Sequence, residues 1–146
     1  MLRKIFLITL TLLALSISGL HSALAENDTP KCIQLDTKAS GEMEKFSVHG
    51  DANGPLFFSG ISCAIKHRNK ELCAMEMVSF DNTAKVYDYY TGEEIEIGKA
   101  YFWLDEKNDA APIVAFDSKK NAEKYGTTSG KGTILDYTGL LEREPK

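Results

Sequence analysis

The chain of 146 residues lacks the short motifs that mark the common nucleotide-binding and zinc-binding proteins. It contains neither the glycine pattern of a phosphate-binding loop nor that of a dinucleotide-binding fold, so the sequence does not indicate a nucleotide-dependent activity. It contains no H-E-x-x-H and no C-x-x-C segment, which argues against a zinc protease and a structural zinc site. Carboxylates are numerous but scattered, so the sequence does not identify a pair for acid–base catalysis.

Positive charge and histidine are also scarce. Acidic residues outnumber basic ones by 21 to 17, and an acidic chain argues against nucleic acid or an anionic membrane as the main partner. Beyond the N-terminal segment the only histidines are His49 and His67. His67 follows Cys63 by four residues and would share a helix face with it, but no third residue supports a catalytic Cys–His pair. We therefore expect a protein without enzymatic activity.

The only long apolar run lies at the N-terminus and has the features of an export signal. The basic pair Arg3 and Lys4 precedes the apolar stretch Ile5–Ile17, and residues 23–25 form a small-x-small cleavage site. The run is short for a membrane span, so we predict cleavage after Ala25, with an uncleaved anchor as the alternative. Cleavage removes 25 residues and two positive charges, which leaves 121 residues, a net charge of −6 and no integral membrane span. That length suits one small domain.

Three cysteines remain in the exported chain, an odd number for a protein in an oxidising compartment. They are Cys32, Cys63 and Cys73. One disulfide and one free thiol is the plain interpretation, and a pair between Cys63 and Cys73 could close a connection from a helix to a strand. Alternatively, a bound soft metal ion could protect free thiols.

The hydrophobic pattern predicts an α+β fold of small mixed or antiparallel sheet units, each with a short helix. We expect a flexible segment over residues 26–44, one domain over 45–141 and a tail over 142–146. The predicted elements are a hairpin over Phe46–Phe58, a helix over Gly60–Arg68, strands over Leu72–Phe80, Ala84–Tyr90, Ala100–Leu104 and Pro112–Phe116, a helix over Asp117–Tyr125 ended by Gly126, and a strand over Gly132–Tyr137. The junction after Phe58 is echoed 58 residues later after Phe116, which indicates either a strand–helix–strand unit used twice or a chance similarity.

Three sulfur-containing residues, Cys73, Met75 and Met77, occupy alternate positions. On a strand they would point to one face, and soft thiolate and thioether ligands together suit Cu(I). The preceding helix offers Cys63 and His67 to complete a metal site. Each group of candidate ligands has an ordinary alternative. Cys and Met often pack in a core, and His67 could be a solvated residue near a helix end.

The second half of the chain carries an ordered series of segments that resembles a known family. The segments are K-V-Y-D-Y-Y-T-G over 85–92, E-I-E-I-G-K-A-Y over 94–101, P-I-V-A-F-D-S over 112–118 with Ala122 and Glu123, and G-K-G-T-I-L-D-Y over 130–137. Their order is similar to that of the NosL family, the accessory proteins of nitrous oxide reductase. The similarity runs from about Gly54 to Leu141 and rests on many small agreements.

The resemblance implies a periplasmic Cu(I)-binding copper chaperone that delivers copper to an envelope protein for assembly of a copper enzyme. It also implies an α+β fold of small sheet-and-helix units. The family's C-x-x-C-G-M segment is represented only by Cys32, and its Pro-Met-Gly is replaced by residues 110–112, Ala-Ala-Pro. The expected ligands of Cu(I) are therefore Met75, Met77 and Cys73, with Cys63 or His67. The alternative is a metal-free interaction module of the same fold that docks on an envelope partner.

Overall fold

The structure, a computed structural model, describes residues 34–51, 54–108 and 111–143. The predicted export signal, its cleavage site and Cys32 lie outside the described residues. The strands are β1 (Gln34–Leu35), β2 (Val48–Asp51), β3 (Pro55–Phe58), β4 (Lys85–Tyr87), β5 (Glu94–Glu96), β6 (Tyr101–Asp105), β7 (Val114–Phe116) and β8 (Gly132–Leu135). The α-helices are α1 (Ile61–Glu71), α2 (Ala74–Thr83), α3 (Lys119–Ser129) and α4 (Tyr137–Glu142), and single 3-10 helices span Gly41–Phe46 and Ile97–Lys99.

The strands form two antiparallel sheets, which confirms the predicted α+β class. One sheet has the order β1-β3-β2-β4-β5 and the other the order β7-β6-β8. Each contains the same unit, in which a hairpin leads into a helix and the next strand pairs with the first strand of the hairpin. We call β2-β3-α1-β4 the first unit and β6-β7-α3-β8 the second unit. The repeated strand–helix–strand arrangement is therefore present in the fold.

The two units match residue by residue through the hairpin strand and the helix. Phe58 ends β3 and Phe116 ends β7, and α1 and α3 each have 11 residues. Ala64 of α1 and Ala122 of α3, also 58 positions apart, are both completely buried. The match ends after the helix, because α2 lies between α1 and β4, whereas β8 begins three positions after α3 ends. Helix α2 is therefore an insertion into the first unit.

The prediction of a strand over Leu72–Phe80 is wrong, because residues Ala74–Thr83 form α2. The helix begins at Cys73, where the Glu76 carboxylate accepts a hydrogen bond from the Cys73 N–H at 2.9 Å and a capping box forms. A cap residue followed three positions later by glutamate satisfies N–H groups that a helix start leaves unpaired. This local signal overrides the alternation of apolar and polar residues that suggested a strand.

Three further boundaries also differ from expectation. Helix α3 continues through Gly126 and ends at Ser129, and the following Gly130 has a φ of 107°, a conformation that glycine adopts readily. The last strand stops at Leu135, because the Asp136 side chain accepts a hydrogen bond from the Gly139 N–H and begins α4. The predicted strand over Ala84–Tyr90 is shortened at its end, where the chain turns after β4.

The region before β2, where we expected a flexible segment, contains elements of regular structure from residue 34 onwards. Of residues 26–44, those from 34 onwards contribute β1, which pairs with β3, and most of the first 3-10 helix. The side chain of Lys45 in this helix lies over the ring of Tyr89, with 5.7 Å between Nζ and the ring centroid.

The core is shared between the two units. Val48, Phe58 and Val86 of the first sheet pack with α1 and α2, and they belong to the same cluster as Phe102 and Ala115 of the second sheet. A second cluster lies on the opposite face of the three-stranded sheet, where α3 covers it. Its buried members are Trp103, Val114, Phe116 and Ala122.

Candidate functional site

The start of α2 carries the sulfur atoms that the sequence suggested as metal ligands. Cys73 is the N-cap residue of α2 and has an extended backbone, whereas Met75 and Met77 are helical. Because successive helix positions are rotated by about 100°, Met75 and Met77 lie on nearly opposite sides of α2. The Met77 N–H donates to the Cys73 carbonyl at 2.9 Å, the contact that closes this helical turn. The single-faced row of three sulfurs that a strand would create is therefore absent, and only the backbone groups of Cys73 and Met77 are joined by this contact.

The environments of these residues also differ. Cys73 is a free, exposed cysteine, and Met77 is half-buried. Met75 is 84% exposed and Val78, one turn further on the same side, is 61% exposed. The packing alternative proposed for the sulfur residues is thus wrong for Cys73 and Met75. Cys73 and Met77 form an accessible pair, and Met75 and Val78 form a small exposed apolar surface.

Cys63, the predicted ligand on the preceding helix, is buried and disulfide-bonded. The predicted disulfide with Cys73 is wrong, because Cys73 is free. Between Cys63 and the end of α1 at Glu71 the helix rises by about 12 Å, whereas the Cα atoms of a disulfide lie within about 7 Å. The sulfur of Cys63 is therefore not a thiolate available to a metal ion in this structure.

His67, the other predicted ligand on α1, is engaged elsewhere. Its Nδ1 lies 3.1 Å from Oε2 of Glu71, one turn along the helix, and its ring packs on Phe58 with 5.1 Å between centroids. Only 16% of the side chain is exposed. The structure therefore places His67 between Glu71 and the sheet, and it is not a solvated residue at the helix end.

A polar network that the sequence analysis missed fixes α2 to the rest of the fold. Arg68 of α1 binds Asp81 of α2 through both carboxylate oxygens, with Nε–Oδ1 at 2.6 Å and Nη2–Oδ2 at 2.5 Å. The Tyr137 hydroxyl of α4 donates to the same Oδ1. Burial acts to raise the pKa of Asp81, but the hydrogen bonds from Arg68 and Tyr137 outweigh it and the pKa is lowered. The sequence carries no signal for this network, because Asp81 is followed by the polar residues Asn82 and Thr83 and reads as part of a solvated segment.

Two side chains near the end of α2 bind the hairpin of the first unit. The Ser79 and Thr83 hydroxyls both donate to the Asp51 carbonyl, at 2.9 and 2.7 Å. The Asp51 N–H donates in turn to the Thr83 hydroxyl at 3.1 Å. The contacts through Ser79, Asp81 and Thr83 thus anchor the C-terminal half of α2, whereas Cys73 and Met77 lie at the opposite end of the helix.

The arrangement defines a class of protein: a small, duplicated α+β domain with an inserted helix that presents a thiol and a thioether to solvent. Within residues 34–51, 54–108 and 111–143, no group of three or more His, Cys, Asp or Glu side chains could hold a metal ion. No helix in this part of the chain has the length and apolar character required to cross a membrane. The chain matches no family profile, no curated protein and no solved structure.

Proposed function

We propose that the chain is an exported copper-handling accessory protein, which binds Cu(I) as cargo and passes it to a copper-accepting envelope protein. The order of segments between Gly54 and Leu141 supports this proposal through its resemblance to the NosL family. The twofold arrangement of small sheet-and-helix units is the kind of fold that the resemblance implies. The predicted export signal would bring the protein to the periplasm, where such an acceptor would be located.

The observation that carries the proposal is the accessible sulfur pair at the start of α2. Residues four positions apart on a helix have Cβ atoms about 5–6 Å apart, so one ion can contact both side chains. Thiolate and thioether are soft ligands that select Cu(I) over the hard cations. An exposed thiol beside a methionine is thus suited to an ion of low coordination number.

The proposed site is smaller than the five residues suggested by the sequence. Cys63 is held in a disulfide, His67 is paired with Glu71, and Met75 lies on the far side of α2. A site with two protein ligands leaves the ion open to a third ligand from the acceptor. Transfer would then proceed by ligand exchange, in which the acceptor's ligand binds before Met77 and Cys73 are released. Binding of Cu(I) to the Cys73 sulfur releases the proton of the thiol.

The test is a Cu(I) titration of the exported chain against a chromophoric chelator. It is done without oxygen and without thiol reductant, so that the disulfide of Cys63 stays intact. We expect one ion per chain, loss of binding in Cys73→Ser and an affinity loss of about tenfold or more, or about 1.4 kcal/mol, in Met77→Leu. Met75→Leu is the matched control, because it removes the same group from the other side of α2 and should bind like the wild type.

Two results would contradict the assignment. Binding that survives in Cys73→Ser would place the copper elsewhere. Equal losses in Met75→Leu and Met77→Leu would show that the helix geometry does not select the ligand.

A second candidate function is a metal-free interaction module that docks on an envelope partner. The exposed surface of Met75 and Val78 favours it, because large apolar side chains exposed together often mark a contact site. The two functions differ in their response to copper. A bound ion at about 100 times its dissociation constant would stabilise the fold by about 2.7 kcal/mol and raise the melting temperature, whereas a metal-free module would show no change.

A further inference from the structure

The five-stranded sheet has an outer face that is turned away from α1 and α2. Val48, Phe58 and Val86 point into the core, so their neighbours on the same strands point outward. These neighbours are His49, Phe57 and Tyr87. His49 lies directly opposite Phe57 in the sheet and its ring is 5.8 Å from that of Tyr87, so the three aromatic rings form a continuous row.

Residues 36–40, which we call the strap, cross this outer face. Strand β1, which precedes the strap, lies at one edge of the sheet, and β5 lies at the other. Lys38 in the strap reaches Glu94 of β5, with 2.7 Å between Nζ and Oε1. Its Nζ also lies 5.2 Å from the centroid of the Tyr87 ring. Among the described residues, Lys38 makes the only side-chain hydrogen bond from the strap.

His49 lies beneath the strap and faces the same carboxylate oxygen as Lys38. Its Nε2 is 3.9 Å from Oε1 of Glu94, and its Nδ1 is 3.1 Å from the Tyr87 hydroxyl. With Nδ1 accepting from the Tyr87 O–H, neutral His49 carries its proton on Nε2, towards Glu94. The charged and titratable groups around it come from four elements: Glu94 of β5, Lys85 and Tyr87 of β4, Lys38 of the strap and Glu44 of the first 3-10 helix.

The balance of these groups keeps His49 neutral near pH 7. Burial lowers its pKa, with Lys38 and Lys85 acting in the same direction and Glu94 acting against them. Protonation changes two contacts at once. Nδ1 becomes a donor, so the Tyr87 O–H loses its acceptor, and a second positive charge then competes with Lys38 for Glu94.

We propose that the strap is an acid-released latch, in which protonated His49 takes over the Glu94 carboxylate and Lys38, with residues 36–40, leaves the outer face. The pKa of His49 is lower in the closed form than the ordinary value of about 6.5, so the closed form binds protons less well than the open one. The latch is therefore closed above about pH 6.5 and is progressively released as the pH falls through the lowered value. Release removes Lys38 from the ring of Tyr87, which is 1% exposed in the closed form, and would give the protein a different outer surface in acid.

The test follows the strap of the exported chain by NMR between about pH 7.5 and about pH 5. The readouts are the nuclear Overhauser contacts between the Lys38 side chain and the Tyr87 ring, and the backbone order of residues 36–40. We expect the contacts to disappear and the backbone order to fall with the same midpoint as the ring signals of His49. Signals from β6 report on global unfolding and should stay unchanged.

Variants separate the latch from a general effect of acid. In His49→Gln the contacts between Lys38 and Tyr87 should persist at both ends of the pH range, and in Lys38→Met the strap should be mobile throughout. Contacts that survive the titration of His49 in the unmodified protein would overturn the proposal, and so would equal loss in His49→Gln. The comparison of midpoints needs no variant, so the proposal is tested even where a substitution prevents folding.

Discussion

The two units of this domain share one architecture but differ in the residues that could carry chemistry. Residues 101–146, which include the whole second unit, contain no cysteine, methionine or histidine. The first unit and its inserted helix α2 contain Cys63, Cys73, Met75 and Met77, together with His49 and His67. The candidate ligands of the proposed copper site therefore all lie in the first unit and its inserted helix.

The sheet face opposite each unit's own helix shows the same contrast. In the second unit this face carries Phe102 and Ala115, which are completely buried in the shared core. In the first unit it carries His49 and Tyr87 beneath the charged strap. One face therefore joins the units, whereas its counterpart carries a cluster of polar contacts.

Most of the difference in Cys and Met content between the two units depends on α2 being an integral part of the first unit. Phe80 on α2 is completely buried, and its ring meets Phe58 edge-on with 6.5 Å between centroids. It also lies so close to Gly50 that a Cβ there would be 3.1 Å from the ring. We expect Phe80→Ala to lower the free energy of unfolding by about 3–5 kcal/mol, measured by urea denaturation.

Val78→Ala is the matched control on the same helix. Because Val78 is 61% exposed, its loss should change the free energy of unfolding by no more than about 0.5 kcal/mol. If Phe80→Ala lowers the free energy of unfolding by less than about 1 kcal/mol, the packing of α2 contributes little to the stability of the fold. The Cys and Met residues at the start of α2 could then not be counted as part of the first unit.

The network around Asp81 provides a second test, because it links the inserted helix to α1 and to α4 beyond the second unit. We expect Arg68→Leu to lower the free energy of unfolding by about 1.5–3 kcal/mol, since it leaves the Asp81 carboxylate without its charged partner. Lys99→Met, which removes the exposed ion pair with Glu96, should cost less than about 1 kcal/mol.

The pH dependence sharpens this second test. The pKa of Asp81 is lower in the folded state than in the unfolded state, so its stabilising contribution is present above the unfolded value of about 3.9 and is lost as the pH falls through the folded value. The difference between the wild type and Arg68→Leu should therefore shrink below about pH 4. A difference that stays constant on acidification would indicate that Arg68 contributes by packing alone.

The parts of the fold that the sequence predicted depend on signals a few residues long. The hairpin before Phe58 and the helix after Phe116 follow from turn residues and apolar runs that leave little choice of structure. The segment of α2 is predicted as a strand because Cys73, Met75 and Met77 occupy alternate positions, and such a short segment also fits the repeat of a helix. The capping interaction of Glu76 favours the helix over the strand. It can be recognised in the sequence only if Cys73 is first taken as the start of a helix.

The parts that could not be predicted depend on which distant segments meet. The latch needs Lys38, His49 and Glu94 on three different segments of the chain, brought together by the order of strands in the sheet. Whether Cys63 and Cys73 form a disulfide with each other likewise depends on the length and direction of α1, which separates the two residues. A sequence pattern contains the residue types of such sites, but their distances follow only from tertiary packing.

The smallest expected effect tests whether the two helices are equivalent where they begin. Helix α3 starts at Ser118, whose hydroxyl accepts from the Asn121 N–H at 3.4 Å, whereas α1 starts at Gly60 without a side-chain cap. We expect Ser118→Ala to cost about 0.5–1 kcal/mol and Gly60→Ser to gain a few tenths, both measured by urea denaturation. A Cβ at Gly60 would meet no atom within 4 Å, so serine has room to adopt the cap. A destabilised Gly60→Ser would show that the backbone at the start of α1 needs glycine, whereas the start of α3 accepts serine at position 118. The two units would then be equivalent in their strands but not where their helices begin.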